Sequence, residues 1–199
     1  MVVRNPDQTR DSLLQAGFDE IYRHGFGSAR IDRILDRTSV TKGAFYHHFP
    51  TKRALGEAII DELIGGRIYE GWIRPLDETD EPVGTLVRLM EQTLLEASDE
   101  RLQCGCPLGN VAQELSPVDE DFRKLIHRVF DRWTQAVAAA LERGRRTGRV
   151  AERVDPQEAA VFVIASLEGG IAMAKQSRDR ATLETFAAAM RSYLESLRA

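Results

Sequence analysis

Cys104 and Cys106, one residue apart, are the only thiols in this 199-residue chain. Two cysteines make no disulfide framework, so a reducing compartment is expected. Pro107 follows the second and suits the first position of a helix, which would make Cys106 its N-cap. A thiol placed there meets the positive end of the helix dipole, a setting that favours thiolate and reactivity. The plainer alternative is a small buried residue. Glu168 is the next candidate, an acid inside the apolar stretch Ala159–Ala174, where it calls for a partner or an altered pKa. An all-helical enzyme using Cys106, His127 or Glu168 lacks any spacing of nucleophile, base and orienting group, any phosphate loop and any metal set, so no enzyme and no cofactor is expected. His47 and His48 are not expected to bind a metal, because adjacent helical residues diverge by roughly 100°.

Charge points to a different chemistry. The chain carries a formal net charge of -4, yet Ser28–Ala54 holds six bases (Arg30, Arg33, Arg37, Lys42, Lys52, Arg53) against two acids (Asp32, Asp36). That segment is therefore +4 and the remainder -8. A basic module on an acidic body is the charge pattern of a phosphate-binding head, although ordinary surface variation produces such splits as well. The opening MVVRNPDQTRDS lacks the apolar run of a signal peptide, and Ala159–Ala174 is short for a bilayer span. A cytoplasmic protein without a membrane partner is expected.

The elements that must position these residues are helical. Asp7–His24 carries Leu14, Phe18, Ile21 and Tyr22 on one stripe and ends at Gly25, a C-cap candidate. A short helix over about 29–36 and a shorter one over about 41–48 follow, separated by a polar turn through Ser39 with Val40 as its plug. Pro50 stops the third helix and Thr51 can cap the next, from Lys52 past Ile68. Pro75–Pro82 is the best linker, and helices are expected over about 83–97, 107–115, 117–143, 156–176 and 180–197, with Gly144–Arg149 as a loop. The fold class is all-α, about nine helices, with a three-helix helix-turn-helix head at 1–50 and a helical-bundle body at 51–199. Within the head Phe45 and Phe49 face inward, leaving a short helix of Lys, Gly, Ala, Tyr and His suited to a DNA major groove. A plain helical hairpin with a solvated face, or an adaptor head that binds protein, are the competing readings.

The stretch Val40-Thr41-Lys42-Gly43-Ala44-Phe45-Tyr46-His47-His48-Phe49-Pro50-Thr51-Lys52-Arg53-Ala54-Leu55 resembles the signature of TetR-type transcriptional regulators, and Gly25-Phe26 agrees with it. Two stretches depart. The usual Thr-Thr opening the second helix is Ala29-Arg30, and the usual Ile-Ala-x-x-Ala-Gly is Ile34-Leu35-Asp36-Arg37-Thr38-Ser39, with Ser39 at a glycine position that favours a left-handed turn. The resemblance implies a sequence-specific DNA-binding regulator, a repressor in most such cases, released from a palindromic operator on double-stranded DNA by a small molecule or reactive species. It implies that Thr41, Lys42, Gly43, Ala44, Tyr46 and His47 line the groove, that Tyr46 and Lys52 hold phosphates, and that Arg30 and Arg33 are weaker contacts.

For the body, the resemblance implies a homodimer. The helix near Pro156–Gln176 is apolar almost all round, and Gly169 and Gly170 permit close helix crossing. The last helix repeats Leu183, Phe186, Met190 and Tyr193 as an amphipathic stripe. Gly169, Gly170, Phe186, Met190 and Tyr193 are thus expected at the dimer interface. Trp72, Phe130, Trp133, Phe162 and Glu168 are candidate pocket residues, although each also suits a plain core. Gly-Cys-Pro-Leu-Gly-Asn (Gly105–Asn110) and Ala174-Lys175 resemble a branch whose repressors sense electrophiles and oxidants, with Cys106 as the reactive thiol and Lys175 as its partner. Lysine, one of only four among 27 bases here, can lose its proton and act as a nucleophile.

Overall fold

The computed structural model describes residues 6–199, so the sequence reading of the first five residues lies outside the described residues. Helices α1 (Pro6–His24), α2 (Ile31–Asp36) and α3 (Lys42–His48) are followed by α4, which begins as Lys52–Ala58. α4 continues through a π-helical stretch (Ile59–Ile64), Gly65–Ile68, a second π-helical stretch (Tyr69–Ile73) and Arg74–Asp77, so residues 52–77 are helical throughout. Then come α5 (Pro82–Leu95), α6 (Asp99–Cys104), α7 (Pro107–Leu115), α8 (Glu120–Arg146), α9 (Pro156–Ser177) and α10 (Arg180–Glu195). Among the described residues no strand forms beyond an isolated bridge between Val150 and Arg198. The all-α class is what the structure has.

Local chemistry explains most boundaries. Gly25 takes φ +79°, and its N–H donates to the Ile21 carbonyl at 2.8 Å, closing α1 in the conformation that glycine adopts at least cost. Thr41, Thr51, Ser98, Asp155 and Asp179 cap α3, α4, α6, α9 and α10 by accepting backbone N–H groups.

Four expectations need correcting. Pro75 does not open a linker but lies inside the continuous helix, just after its second π-helical stretch, and only residues 78–81 separate α4 from α5. α8 runs on through Arg143, Arg145 and Arg146, whose charges suit a helix C-terminus, and stops only near Gly148 at φ +72°. The short α6 has a plain N-cap signal in Ser98 but too few apolar residues to show periodicity. Finally, Ser39 is not in the left-handed region: among the described residues only Arg178 has a positive φ without being glycine.

The chain forms two compact units. One contains the described residues up to Gly66 together with Pro107–His127, and the other Arg67–Cys106 with Arg128–Ala199. The boundary read at residue 50 falls inside the first unit, because the start of α4 is part of the head's core. Leu55 and Ile59 approach Gly17 of α1 so closely that a Cβ there would meet Leu55 Cδ2 at 2.9 Å. Phe26 packs edge-on against Phe122 at 5.1 Å, tying the start of α8 into the same unit. In the second unit α10 packs on α5 and α9 around a core that includes Trp72, Met90, Trp133, Leu141, Ile164, Leu167 and Leu194.

Candidate nucleic-acid interface and body site

α3 is seven residues long, too short to be stable unaided, so its position depends on capping and docking. Thr41 Oγ1 accepts the Ala44 N–H at 3.3 Å, and Phe45 and Phe49 are fully or almost fully buried beneath it. The opposite side faces solvent: Thr41, Lys42, Gly43 and His47 are exposed, Tyr46 is 43% exposed and Ala44 is partly so. A Cβ on Gly43 would meet nothing within 4 Å. The turn before α3 is braced by Thr38, whose N–H and hydroxyl both donate to the Leu35 carbonyl and whose Oγ1 accepts the Val40 N–H. Arg30, at the N-cap of α2, is exposed and makes no side-chain cap.

Several of the segment's bases are engaged. Lys52 Nζ donates to the carbonyls of Phe26 (2.9 Å), Gly27 (3.2 Å) and Ala29 (3.1 Å) and lies 4.9 Å from the Phe26 ring. An ammonium has three donors, and all three point into the fold, so the structure places Lys52 as a clamp on the α1–α2 connection. Arg53 bonds Asp119, Asp121 and Glu57, which hold its guanidinium charged, while Arg53 holds the Asp119 carboxyl below its ordinary range. Lys42 lies 3.8 Å from Asp32 with both side chains about two-thirds exposed, a pair that salt and solvent weaken.

Two residues that the sequence reading passed over complete the head. Glu114 of α7 accepts the N–H groups of Phe26 (2.8 Å) and Gly27 (2.7 Å). Glu20, fully buried on α1, faces Arg33, Arg37 and His24. A signal for Glu20 was available: it stands seven residues after Leu13, on the stripe whose other members are apolar. Glu114 had none, because its partners are backbone groups.

In the body, Trp72 and Trp133 are buried with rings 5.1 Å apart, edge to face, and Phe130 is half-buried against the same core. Trp133 Nε1 is a buried donor with no protein acceptor. Phe162 does not join them: it is 50% exposed and packs against Tyr193 with the rings tilted and their centroids 4.4 Å apart. Its helix turns Val163, Ile164 and Leu167 inward instead. Gly170 and Met190 are likewise buried, Gly170 directly beneath the Phe186 ring, so neither is available to a partner chain. What α9 does expose is Val161, Ala165, Gly169 and Met173, four apart along one side, with Phe162 beside Val161. α9, 22 residues and one longer than the helix expected near Pro156–Gln176, is long and apolar enough by composition to cross a membrane, but its other side belongs to the core.

Glu168 accepts a hydrogen bond from the Cys106 thiol, while its Oε1 is buried without a partner. Burial pushes its carboxyl above the usual value of 4.5, and the Cys106 bond acts the other way. An acid whose pKa rises on folding contributes stability that is complete below the unfolded value and is lost as pH climbs through the folded one. Glu168→Gln is therefore expected to melt higher than the parent near neutral pH, with the gain shrinking as pH falls toward 4.5. Thermal melts across that range check it, and a variant melting lower at neutral pH would refute it. Lys175 lies exposed in the last turn of α9, seven residues and two turns beyond Glu168.

An exposed, capped seven-residue helix behind a braced turn defines a helix-turn-helix head of the kind that enters a DNA groove. Comparison with known proteins agrees. Residues 13–59 match the family described as bacterial regulatory proteins, tetR family, and residues 82–190 match the tetracyclin repressor-like C-terminal domain. The chain is 30% identical to an HTH-type transcriptional regulator in the lacX 3' region of Lactococcus lactis subsp. lactis, over 93% of this chain and 92% of that one. It is 27% identical to the HTH-type transcriptional repressor DhaR of a Mycobacterium species, over 89% and 87%. Among solved structures it is similar to E. coli NemR in its reduced form, with a TM-score of 0.80 and 25% identity over 96% and 97% of the two chains. The chain belongs to the TetR family and is a helix-turn-helix DNA-binding transcriptional regulator.

Proposed function

We propose that this regulator is a cytoplasmic homodimeric repressor, without catalytic activity, that binds a palindromic operator and is released by a small organic or electrophilic effector. The observation that carries this reading is the solvent-facing surface of α3, with Thr41, Lys42, Gly43, Tyr46 and His47 outward and Phe45 anchoring the other side. Thr41, Lys42, Gly43, Ala44, Tyr46 and His47 line the groove, and Tyr46 and Arg30 reach phosphates. Lys52 serves as a positioning residue, since its ammonium is committed to three carbonyls. The two heads are brought together by the exposed side of α9, with Gly169, Phe186 and Tyr193 at the contact.

The effector is taken up among Trp72, Phe130, Trp133 and Glu168, where a buried indole N–H and a buried carboxyl oxygen both lack protein partners. Cys106 supports an electrophilic effector. Its thiol already donates to Glu168, so when sulfur adds to an electrophilic carbon–carbon double bond such as that of a maleimide, the S–H proton passes to the Glu168 carboxylate and on to the neighbouring carbon, which has taken the electron pair of the broken π bond. That one similar structure is of a reduced form accords with this reading.

Footprinting on the DNA flanking the regulator's own gene, with and without an N-substituted maleimide, tests both parts. Protection of a palindrome that the maleimide lifts in the parent but not in Cys106→Ser is the expected outcome. Protection lifted equally in both removes the thiol from the mechanism, and no protected palindrome overturns the operator reading. Lys42→Ala is expected to weaken binding and to flatten the dependence of log affinity on log salt by roughly one unit, the share of one phosphate contact. A titration of a DNA duplex at several salt concentrations measures it, and an unchanged slope removes Lys42 from the interface.

A further inference from the structure

Among the described residues Glu20 is the one ionisable side chain that is fully buried. Its carboxylate has no hydrogen bond to either oxygen. Around it stand Arg33 Nη1 at 3.5 Å, Arg37 Nη2 at 3.4 Å and His24 Nε2 at 3.8 Å. These separations exceed the roughly 2.7–2.9 Å of a charge-assisted hydrogen bond, so the grip is electrostatic rather than directional. Arg33 lies within α2 and Arg37 is its C-cap. In a helix-turn-helix the first of the two helices crosses the sugar-phosphate backbone, which puts both arginines, 51% and 37% exposed, on the side where phosphates pass.

We propose that Glu20 restrains the head's affinity for DNA of arbitrary sequence, acting as an internal counter-ion that keeps Arg33 and Arg37 from serving as full phosphate neutralisers. The inference rests on the DNA-binding reading of the head and adds to it a residue that sets specificity. Sequence-independent affinity comes from cations on the protein replacing counterions on the phosphates. An arginine already matched by a carboxylate at about 3.5 Å brings less uncompensated charge to that exchange. Because the carboxylate is wholly buried, dissolved salt screens the pairing less than it screens an exposed ion pair. Base edges, by contrast, are read by the exposed side of α3, which Glu20 does not touch. Holding back phosphate affinity while leaving the base-reading surface alone raises the ratio of specific to background binding.

The test needs no operator. Binding to a fluorescent random-sequence duplex of about 30 base pairs is followed by anisotropy from about 50 to about 200 mM salt. Glu20→Leu suits the buried apolar stripe, and replacing a buried ionic group with an apolar residue of similar volume is often neutral or stabilising. Its log–log salt slope is expected to be steeper than the parent's by up to about two units, at about 0.9 for each arginine released. Its tighter binding at the low-salt end then shrinks by about tenfold across the range. Adding Arg33→Ala and Arg37→Ala to Glu20→Leu restores the parental slope, whereas the same pair in the parent moves it little. If circular dichroism shows Glu20→Leu to be poorly folded, Glu20→Gln, which removes the charge and keeps the shape, is measured in its place. A folded variant with an unchanged or shallower slope overturns the proposal. A parent that fails to bind the duplex at the lowest salt strikes instead at the DNA-binding reading itself.

Discussion

Gly169→Arg is expected to leave the chain folded and to strip it of tight operator binding. Gly169 lies on the exposed side of α9, where an added Cβ meets nothing within 4 Å. Arginine is a better helix former than glycine, so the single chain loses no stability by the change. A second copy of the chain meets the change differently. In the proposed dimer a long cation is set into a seam of Val161, Phe162, Ala165 and Met173, where close approach relies on small residues and a charge would have to be buried unpaired. One seven-residue helix in a groove contributes little affinity, and tight binding to a palindrome needs two heads at a fixed spacing. Sedimentation should therefore report twice the chain mass for the parent and one chain mass for the variant, with unchanged helical content and operator affinity lower by orders of magnitude. A variant that remains a dimer places the partner contact on some other surface.

Phe45→Ala is expected to have the largest effect on the head itself. Phe45 is fully buried, lies edge-on to Tyr46 with centroids 5.2 Å apart, and is 6.2 Å from Phe49. Truncating a buried phenylalanine costs about 3–5 kcal/mol, a large part of the roughly 5–15 kcal/mol that holds an ordinary domain together. The loss falls on a helix with little stability of its own, so α3 should detach before the rest of the chain unfolds. Denaturant melts should show a lowered midpoint, and amide exchange in Lys42–His48 should rise toward unprotected rates. A cost below about 1 kcal/mol would mean that α3 is held in place by something other than this ring.

How far the sequence foretold these features differs by kind. The head was legible because its signals are local: Gly25 at a positive φ, Thr41 and Thr51 as caps, Phe45 and Phe49 four apart with polar residues between them. Boundaries fixed by distant packing were not. Nothing near residue 50 reveals that Leu55 and Ile59 close on Gly17, or that Phe122 joins Phe26 in the same unit. The direction of side chains on α9 was illegible for a related reason. A helix apolar all round gives no moment by which to tell an inward Gly170 from an outward Gly169, or an inward Val163 from an outward Phe162. Charge was read as a sum, whereas the fold distributes it: Lys52, Arg53, Arg33 and Arg37 each face a partner within the head.

The connection between α1 and α2 is gripped from two directions, its N–H groups at Phe26 and Gly27 by the Glu114 carboxylate and its carbonyls at Phe26, Gly27 and Ala29 by the Lys52 ammonium. Its shape is thereby imposed by side chains 25 and almost 90 positions away and owes little to its own. Ser28 and Arg30, both exposed there, are left open to mutational drift. What is offered to a passing phosphate at these two positions can therefore change without re-engineering the bend that presents it.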